Sequence, residues 1–350
     1  MRLFSSKIWA FCMSPFSFIY YLIVALRNWA YDREWLAIHR VAIPVIAVGN
    51  ITVGGVGKTP LVIWFAQRLQ KQGLRVGIVS RGYGRASKGL VVVSDGNHIV
   101  CANEGGDEPV MIANRCQAVV IVCEDRATAA RKAVESYHVD VIVLDDAFQH
   151  RRLYRDWNVV MIHGKQQFGN GSVLPGGPLR ESIGGLNRAD VLVFSHAAGG
   201  QEVPESVARF QKPVVQSTHQ PEQWMDLADQ TYPLPYLKGK RVVAFSGIAN
   251  PNAFFKTVSE QGCVVVAEKS FPDHHAFSNE DITSLVHLAR LHTADALVMT
   301  EKDRVKIKQG SSPDIPMFSL NISLKIISGQ DVLDQIVHSV LKAKGGSCGR

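Results

Sequence analysis

The chain has 350 residues, 46% of them hydrophobic and 20% charged, with a formal net charge of +7 at neutral pH. Such a length buries a large core and suggests two domains, and the hydrophobic content excludes a disordered or fibrous chain. The positive balance suits an anionic partner, whether nucleic acid, acidic lipid or a phosphorylated substrate, and equally suits plain solubility. The six cysteines, Cys12, Cys101, Cys116, Cys123, Cys263 and Cys348, form no Cys-x-x-Cys pair and no zinc-spaced set with histidine. That pattern points to a reducing compartment and no structural metal.

The first element is a run of nineteen uncharged residues, Ile8 to Leu26, bordered by Lys7 and Arg27. A bilayer-spanning helix needs roughly twenty apolar residues, so the run is long enough, although Ser14, Pro15 and Ser17 weaken its centre. No small-x-small cleavage site follows it, which argues against a secretory signal. A full span, an anchor lying in the interface and a helix buried on the domain remain as readings. Trp29 and Trp35 with Arg27, Arg33 and Arg40 resemble an interfacial belt and favour membrane association, with the chain after about residue 40 on the cytoplasmic side. The nucleotide site is expected to survive removal of residues 1–27.

Next comes an apolar strand at 44–49, then Thr52-Val53-Gly54-Gly55-Val56-Gly57-Lys58-Thr59-Pro60, then a helix over 58–72. Strand, glycine loop, Lys-Thr and helix form the context of a phosphate-binding P-loop. Glycines let backbone N–H groups turn inward, and the helix N-terminus adds its dipole. Lys58 reaches the β- and γ-phosphates and the Thr59 hydroxyl sits on Mg²⁺. Thr52 occupies the place of the usual first glycine.

Further strands fall at 75–80, 91–93, 98–100, 118–123, 139–144, 158–162 and 190–194, with helices at 106–115, 125–137 and 203–210. Ser94-Asp95-Gly96-Asn97 is a hairpin turn. Apolar strands alternating with helices imply βαβ units and a mainly parallel sheet. Ser80-Arg81-Gly82-Tyr83-Gly84-Arg85 and the segment from Gly169 to Glu181, with Arg180, put arginines on glycine-rich loops suited to phosphate. Gly106-Asp107-Glu108-Pro109 reads as a helix start, and Asp107 is also a candidate to take a proton from an acceptor hydroxyl. Val141 to Leu144 runs into Asp145-Asp146 at a strand's carboxyl edge, the Walker B arrangement that holds Mg²⁺; either aspartate can be the ligand.

Pro221, Pro233 and Pro235 place a linker at 221–240 between a nucleotide-binding domain at 41–220 and a smaller α/β domain at 241–350. The anchor and its interfacial segment occupy 1–40. The second domain reads as strand 241–246, helix 251–260, strand 263–268, helix 279–292, strands 295–300 and 316–320, and helix 330–343. Asp273-His274-His275 lies in its loops and offers one imidazole to a cleft between the domains.

These stretches together resemble the tetraacyldisaccharide 4′-kinase family of lipid A biosynthesis. The resemblance rests on Val48 to Pro60, Ser80 to Gly84, Gly106 to Pro109, Leu144 to Arg151, Leu174 to Glu181, Phe271 to His275 and Thr300 to Asp303. It implies a P-loop NTPase-like domain plus a smaller α/β domain with an N-terminal membrane-associated helix. It implies ATP and Mg²⁺ as cofactors and an acylated disaccharide phosphate lipid as substrate at the inner membrane. It also implies catalysis by Lys58 and by Asp107 paired with a histidine, His274 in preference to His275. The nucleotide falls to Thr52, Gly54, Gly55, Val56, Gly57, Lys58, Thr59 and Pro60, and the metal to Thr59, Asp145 and Asp146. Asn50, Arg81, Tyr83, Glu108, Gln149, His150, Arg180 and His275 are substrate-contacting candidates. The expected state is a monomer that binds no nucleic acid. The alternative is a membrane-attached ATPase switch acting on a protein partner; a GTPase is disfavoured because Asn-Lys-x-Asp is absent.

Overall fold

The computed structural model describes residues 7–197, 203–307 and 314–347, so Cys348 lies outside the described residues. The uncharged N-terminal run becomes one helix, α1 (Lys7–Asp32), with Pro15 inside it. Its length and composition suffice to cross a membrane, and only 11% of its most apolar window is buried. Ile8, Phe11, Phe16, Phe18, Ile19, Leu22, Ile23 and Leu26 all stand exposed on it.

The chain then runs through β1 (Val45–Asn50), α2 (Lys58–Gln70), β2 (Val76–Ser80), β3 (Val91–Asp95), α3 (Ala102–Gly105), α4 (Asp107–Arg115), β4 (Val119–Val122), α5 (Arg126–Tyr137), β5 (Val141–Asp145), β6 (Trp157–His163) and β7 (Val191–Ser195). After the short α6 (Glu205–Ala208) come β8 (Val214–Asp226) and β9 (Thr231–Tyr232). The second half is β10 (Arg241–Ser246), α7 (Pro251–Glu260), β11 (Val264–Ser270), α8 (Asn279–Leu291), β12 (Ala296–Thr300), α9 (Glu301–Arg304), β13 (Met317–Ser328) and α10 (Gln330–Ser347).

All the strands except β9 line up in the order β11-β10-β12-β13-β8-β7-β6-β1-β5-β2-β4-β3, and β9 pairs with β8. From β4 to β8 every neighbour is parallel, and so is every neighbour from β13 to β11. The two parallel halves meet at one antiparallel pair, β8 against β13. The six residues of β1 are all buried, as a strand covered on both faces requires. Helix α2 covers one face through Leu61, Val62, Phe65, Ala66 and Leu69. Burying each such large side chain contributes about 1.5–3 kcal/mol.

The expected linker at 221–240 is not an irregular crossing. Its first part is the end of β8, and Pro221 occupies a place where a strand can dispense with an N–H. Pro221 sits opposite Ile322, where the β8–β13 register shifts, and proline is tolerated at such a bulge. Pro233 and Pro235 belong to a single turn of tight helix at Leu234–Leu237 and its cap. The expected strand at 98–100 is reduced to a bridge between Ser94 and Ile99, and the last strand runs past 320 to Ser328.

One close approach fixes the top of the sheet. A Cβ on Gly49 would lie 2.6 Å from Phe148 Cβ and 2.7 Å from its backbone nitrogen. The Gly49→Ala chain is expected to lose about 1–3 kcal/mol of stability, the usual cost of overpacking, read as a lower urea midpoint.

Candidate active site

The carboxyl edges of β1, β2 and β5 converge on the glycine loop, where open parallel sheets receive ligands. Gly57 caps α2 in the left-handed conformation at φ 85°, which turns Lys58 to the start of the helix. Lys58 Nζ donates to Asn50 Oδ1 at 3.3 Å and pairs with Asp146 Oδ1 at 3.4 Å. Arg180 Nη1 donates to both oxygens of Asp146, at 2.9 and 3.0 Å. Asp146 therefore stands between two cations, in a left-handed turn at φ 48°. Thr59 is buried at the first turn of α2.

The two adjacent aspartates are driven apart in acidity. Asp145 accepts from Ser80 Oγ at 3.1 Å through Oδ2, while its buried Oδ1 has no partner. Burial, and then the Glu108 and Asp146 carboxylates, push Asp145 up to about 7. Burial alone would raise Asp146 as well, but Lys58 and Arg180 hold it below the ordinary carboxylate range. A buried carboxylate with an unpartnered oxygen on the strand paired with β1, together with the buried threonine at the end of the phosphate loop, offers hard oxygen donors of the kind that Mg²⁺ takes.

The candidate catalytic pair, Asp107 and His274, comes from both halves. Asp107 opens α4, after Gly106 at φ 90°. His274 sits in the turn after Phe271 at φ 61°, and its N–H donates to Gly247 O at 3.2 Å. Gly247 is held in turn by Asp303, which is fully buried and also accepts from Ser246 Oγ at 3.0 Å and Thr300 Oγ1 at 2.6 Å. His274 Nδ1 meets Asp107 Oδ2 at 3.0 Å, and its Nε2 meets Lys302 Nζ at 3.4 Å. An ammonium only donates, so Nε2 is the acceptor and Nδ1 carries the proton given to Asp107. Lys302 also pairs with Glu108 at 3.4 Å. His275 turns elsewhere: its Nε2 meets Asp281 Oδ2 at 3.0 Å and its ring stacks on Phe271.

The remaining candidates divide. Gln149 donates to Asn50 O at 2.8 Å and to Glu181 Oε1 at 2.9 Å, bracing the loop rather than facing open space. Tyr83 is exposed and its ring meets His274 edge-on, 5.8 Å between centroids. Arg81 is exposed directly after β2. His150 lies 3.9 Å from Asp125, and burial followed by the Arg126 charge lowers it to about 4. Arg126 and Lys302 escape sequence reasoning as site residues. Arg126 is buried at the start of α5, where burial and Arg81 lower its pKa while Asp146 and Asp145 counter. Its only signal in sequence is the Asp125 helix cap before it.

Helix α1 is tied into this site. Ser17 Oγ accepts from the Gly176 N–H at 2.8 Å, Tyr20 OH donates to Arg180 O at 2.9 Å, and Asn28 Nδ2 donates to Glu181 Oε2 at 3.3 Å. The same segment pairs with the glycine loop: Val53 N–H donates to Pro178 O at 2.8 Å and Arg180 N–H to Ile51 O at 2.7 Å. The expectation of a nucleotide site independent of residues 1–27 thus meets a structure in which α1 holds the backbone that carries Arg180.

A phosphate loop with paired aspartates on the next strand, facing a carboxylate–imidazole pair, defines a P-loop phosphotransferase. The particular family follows from comparison with known proteins. The chain belongs to the tetraacyldisaccharide-1-P 4'-kinase family, whose sequence pattern matches residues 9–342. The tetraacyldisaccharide 4'-kinase of Anaeromyxobacter sp. (strain Fw109-5) is 39% identical over 329 residues, covering 91% of this chain and 88% of the relative. That of Syntrophus aciditrophicus (strain SB) is 38% identical over 350 residues, covering 95% and 93%. A crystal structure of LpxK from Aquifex aeolicus in complex with ATP matches with a TM-score of 0.80 at 32% identity, covering 95% of this chain and 99% of that one.

Two outcomes follow from the geometry. Asp145 titrates higher in the folded chain than its ordinary value of 3.8, so folding takes up a proton between 3.8 and about 7. Stability from this group is full below 3.8 and is lost as pH rises through about 7. Without divalent cations, the urea midpoint of Asp145→Asn is therefore expected to gain on the wild type from pH 4 to 7 and to level off above. Separately, Tyr20→Phe removes one hydrogen bond to the Arg180 backbone. It should slow turnover on detergent-dispersed substrate roughly two- to tenfold, the kinetic equivalent of about 0.5–1.5 kcal/mol. Unchanged turnover would mean that α1 does not brace the site.

Proposed function

We propose that this chain transfers the γ-phosphate of ATP to the 4′ hydroxyl of a tetraacylated glucosamine disaccharide 1-phosphate, working as a monomer at the cytoplasmic face of the inner membrane. The observation that carries the reading is the Asp107–His274 contact across the two halves, opposite the phosphate loop. A switch that only hydrolyses nucleotide has no need of a proton acceptor supplied in this way from both halves. The exposed apolar face of α1 and the basic balance of the chain suit an anionic lipid substrate at a membrane surface.

Asp107, oriented by the Nδ1–H of His274, accepts the proton of the attacking hydroxyl. The oxygen–phosphorus bond forms as the bond from phosphorus to the bridging oxygen breaks, leaving ADP. Lys58 and Arg180, now sharing Asp146, are positioned to meet the charge that spreads over the transferring phosphoryl oxygens. Lys302 keeps Nε2 of His274 an acceptor, so the imidazole stays in the tautomer that serves Asp107. Thr59 and the free Oδ1 of Asp145 are the groups that would hold Mg²⁺. When bound, that ion neutralises phosphate charge and orients the nucleotide.

The test is a transfer assay with γ-labelled ATP and the acylated disaccharide phosphate in mixed micelles. Label is expected in the lipid and is expected to be lost with Lys58→Ala. Release of label to water alone would overturn the reading in favour of an ATPase. Asp107→Ala and His274→Ala should each slow transfer on the order of 10²–10⁴-fold. The double variant should be scarcely slower than the worse single one, because groups acting as a unit are not additive. Multiplicative losses would assign the two residues separate tasks.

A further inference from the structure

His274 stands on a turn that a histidine does not adopt readily. Phe271 leaves β11 with its N–H donated to Ser246 O at 2.9 Å, and Pro272-Asp273-His274-His275 closes through the His275 N–H and Pro272 O at 3.1 Å. His274 is the third residue of this turn and takes φ 61°. Glycine or asparagine usually fills such a place, because a Cβ crowds the backbone there. A left-handed backbone at a larger residue persists only where its surroundings over-determine it. On one side the surroundings are Gly247, whose carbonyl accepts from the His274 N–H at 3.2 Å. On the other side they are His275.

The half-buried His275 side chain is engaged within its own half. Its ring stacks on Phe271, 4.7 Å between centroids at 24°, and meets Phe277 edge-on at 5.1 Å and 84°. A Cβ on Gly247 would lie 3.2 Å from His275 Cβ, so the residue packs on the same strand end that holds His274. Nε2 meets Asp281 Oδ2 at 3.0 Å. The same oxygen accepts from the Ser278 N–H and from Ser278 Oγ, at 2.9 Å each, in the capping box that opens α8. Those bonds, the Ser278 N–H first and His275 after it, hold the Asp281 carboxyl below the ordinary carboxylate range, so it is an anion at neutral pH. A carboxylate only accepts, so His275 carries its proton on Nε2. His274 carries its own on Nδ1, facing Asp107. Two adjacent imidazoles are thus fixed in opposite tautomers, one turned to the other half and one to its own.

We propose that His275 is a positioning residue for phosphoryl transfer: without touching the substrate, it ties the turn to the first turn of α8 through Asp281 and so keeps His274 against Asp107. This rests on the reading of Asp107 with His274 as the proton-accepting pair, and it takes the place of the expectation that His275 contacts the substrate. The stack on Phe271 sets where the turn lies, and the bond to Asp281 sets how far it can rotate. Without that bond the backbone of His274 can relax from its left-handed conformation, and Nδ1 then moves off Asp107 Oδ2. A displacement of about 1 Å in a group that must be aligned can slow a reaction on the order of 10²-fold.

The test is His275→Phe in the full-length enzyme, which keeps the ring stack and removes the bond to Asp281. With γ-labelled ATP and the acylated disaccharide phosphate in mixed micelles, kcat is expected to fall about three- to thirtyfold, part of the loss that a displaced group can cause. KM for the acceptor and for ATP should stay within about twofold of the wild type, since no binding contact is removed. His275→Gln should recover most of kcat, because its side-chain amide can still donate to Asp281. In a His274→Ala background His275→Phe should slow transfer by less than about twofold, because a residue that acts through another then has nothing to act on. Asp281→Ala serves as a second variant, with the same expectations for kcat and for the His274→Ala background, should His275→Phe fail to fold. Unchanged kcat in a folded variant, the same fold-loss in both backgrounds, or a His275→Gln enzyme as slow as His275→Phe would overturn the positioning role. A raised acceptor KM at unchanged kcat would also overturn it and make His275 a substrate contact. Undiminished transfer by His274→Ala would instead overturn the reading of the pair beneath it.

Discussion

Asp146 is shared by Lys58 from the phosphate loop and Arg180 from the segment that crosses above it. That shared carboxylate sets the order of the whole nucleotide edge. It gives Lys58 a partner while the cation is largely buried, and an unpaired buried charge is costly. Its acidity is held down by the same two cations, and its own charge contributes to the opposite shift of Asp145 next to it. Two carboxylates adjacent in sequence thereby acquire different environments. One is an anion ion-paired with two cations, and the other is buried with one oxygen hydrogen-bonded to Ser80.

From Arg180 the dependence runs outward to α1. The crossing segment pairs with the glycine loop on one side and is hydrogen-bonded to α1 on the other. Helix α1 therefore has two faces with different work. Its exposed apolar side chains suit a lipid interface, and Ser17, Tyr20 and Asn28 fasten the segment that carries Arg180.

The Asp107–His274 contact depends on how the two parallel halves are joined. The antiparallel β8–β13 pair makes one sheet of both, so the edge that carries Asp107 and the turn that carries His274 face each other across a continuous floor. Polar contacts lock the same seam: Arg115 reaches Glu301 at 3.2 Å, and Lys302 bridges Glu108 and His274. The buried Asp303 fixes Gly247 and so the backbone from which His274 projects. The Asp107–His274 contact assembled this way is held from both halves.

Much of this was legible in the chain because its chemistry is local. A glycine loop after a strand, a Lys-Thr at a helix start and two aspartates at a strand end are each set by a few consecutive residues, whose backbone geometry nearly dictates their use. The alternation of apolar strands and helices likewise read through to a parallel sheet. Sequence alone did not show that Pro221 lies inside a long strand, because a bulge that removes the need for its N–H exists only once β13 is alongside. Nor did it show Arg126 or Lys302 as site residues, or the fastening of α1 to Arg180. Those residues lie tens of positions apart and carry no spacing signal. They become neighbours only because parallel strands bring their carboxyl ends to one edge, and that juxtaposition is a property of the folded sheet.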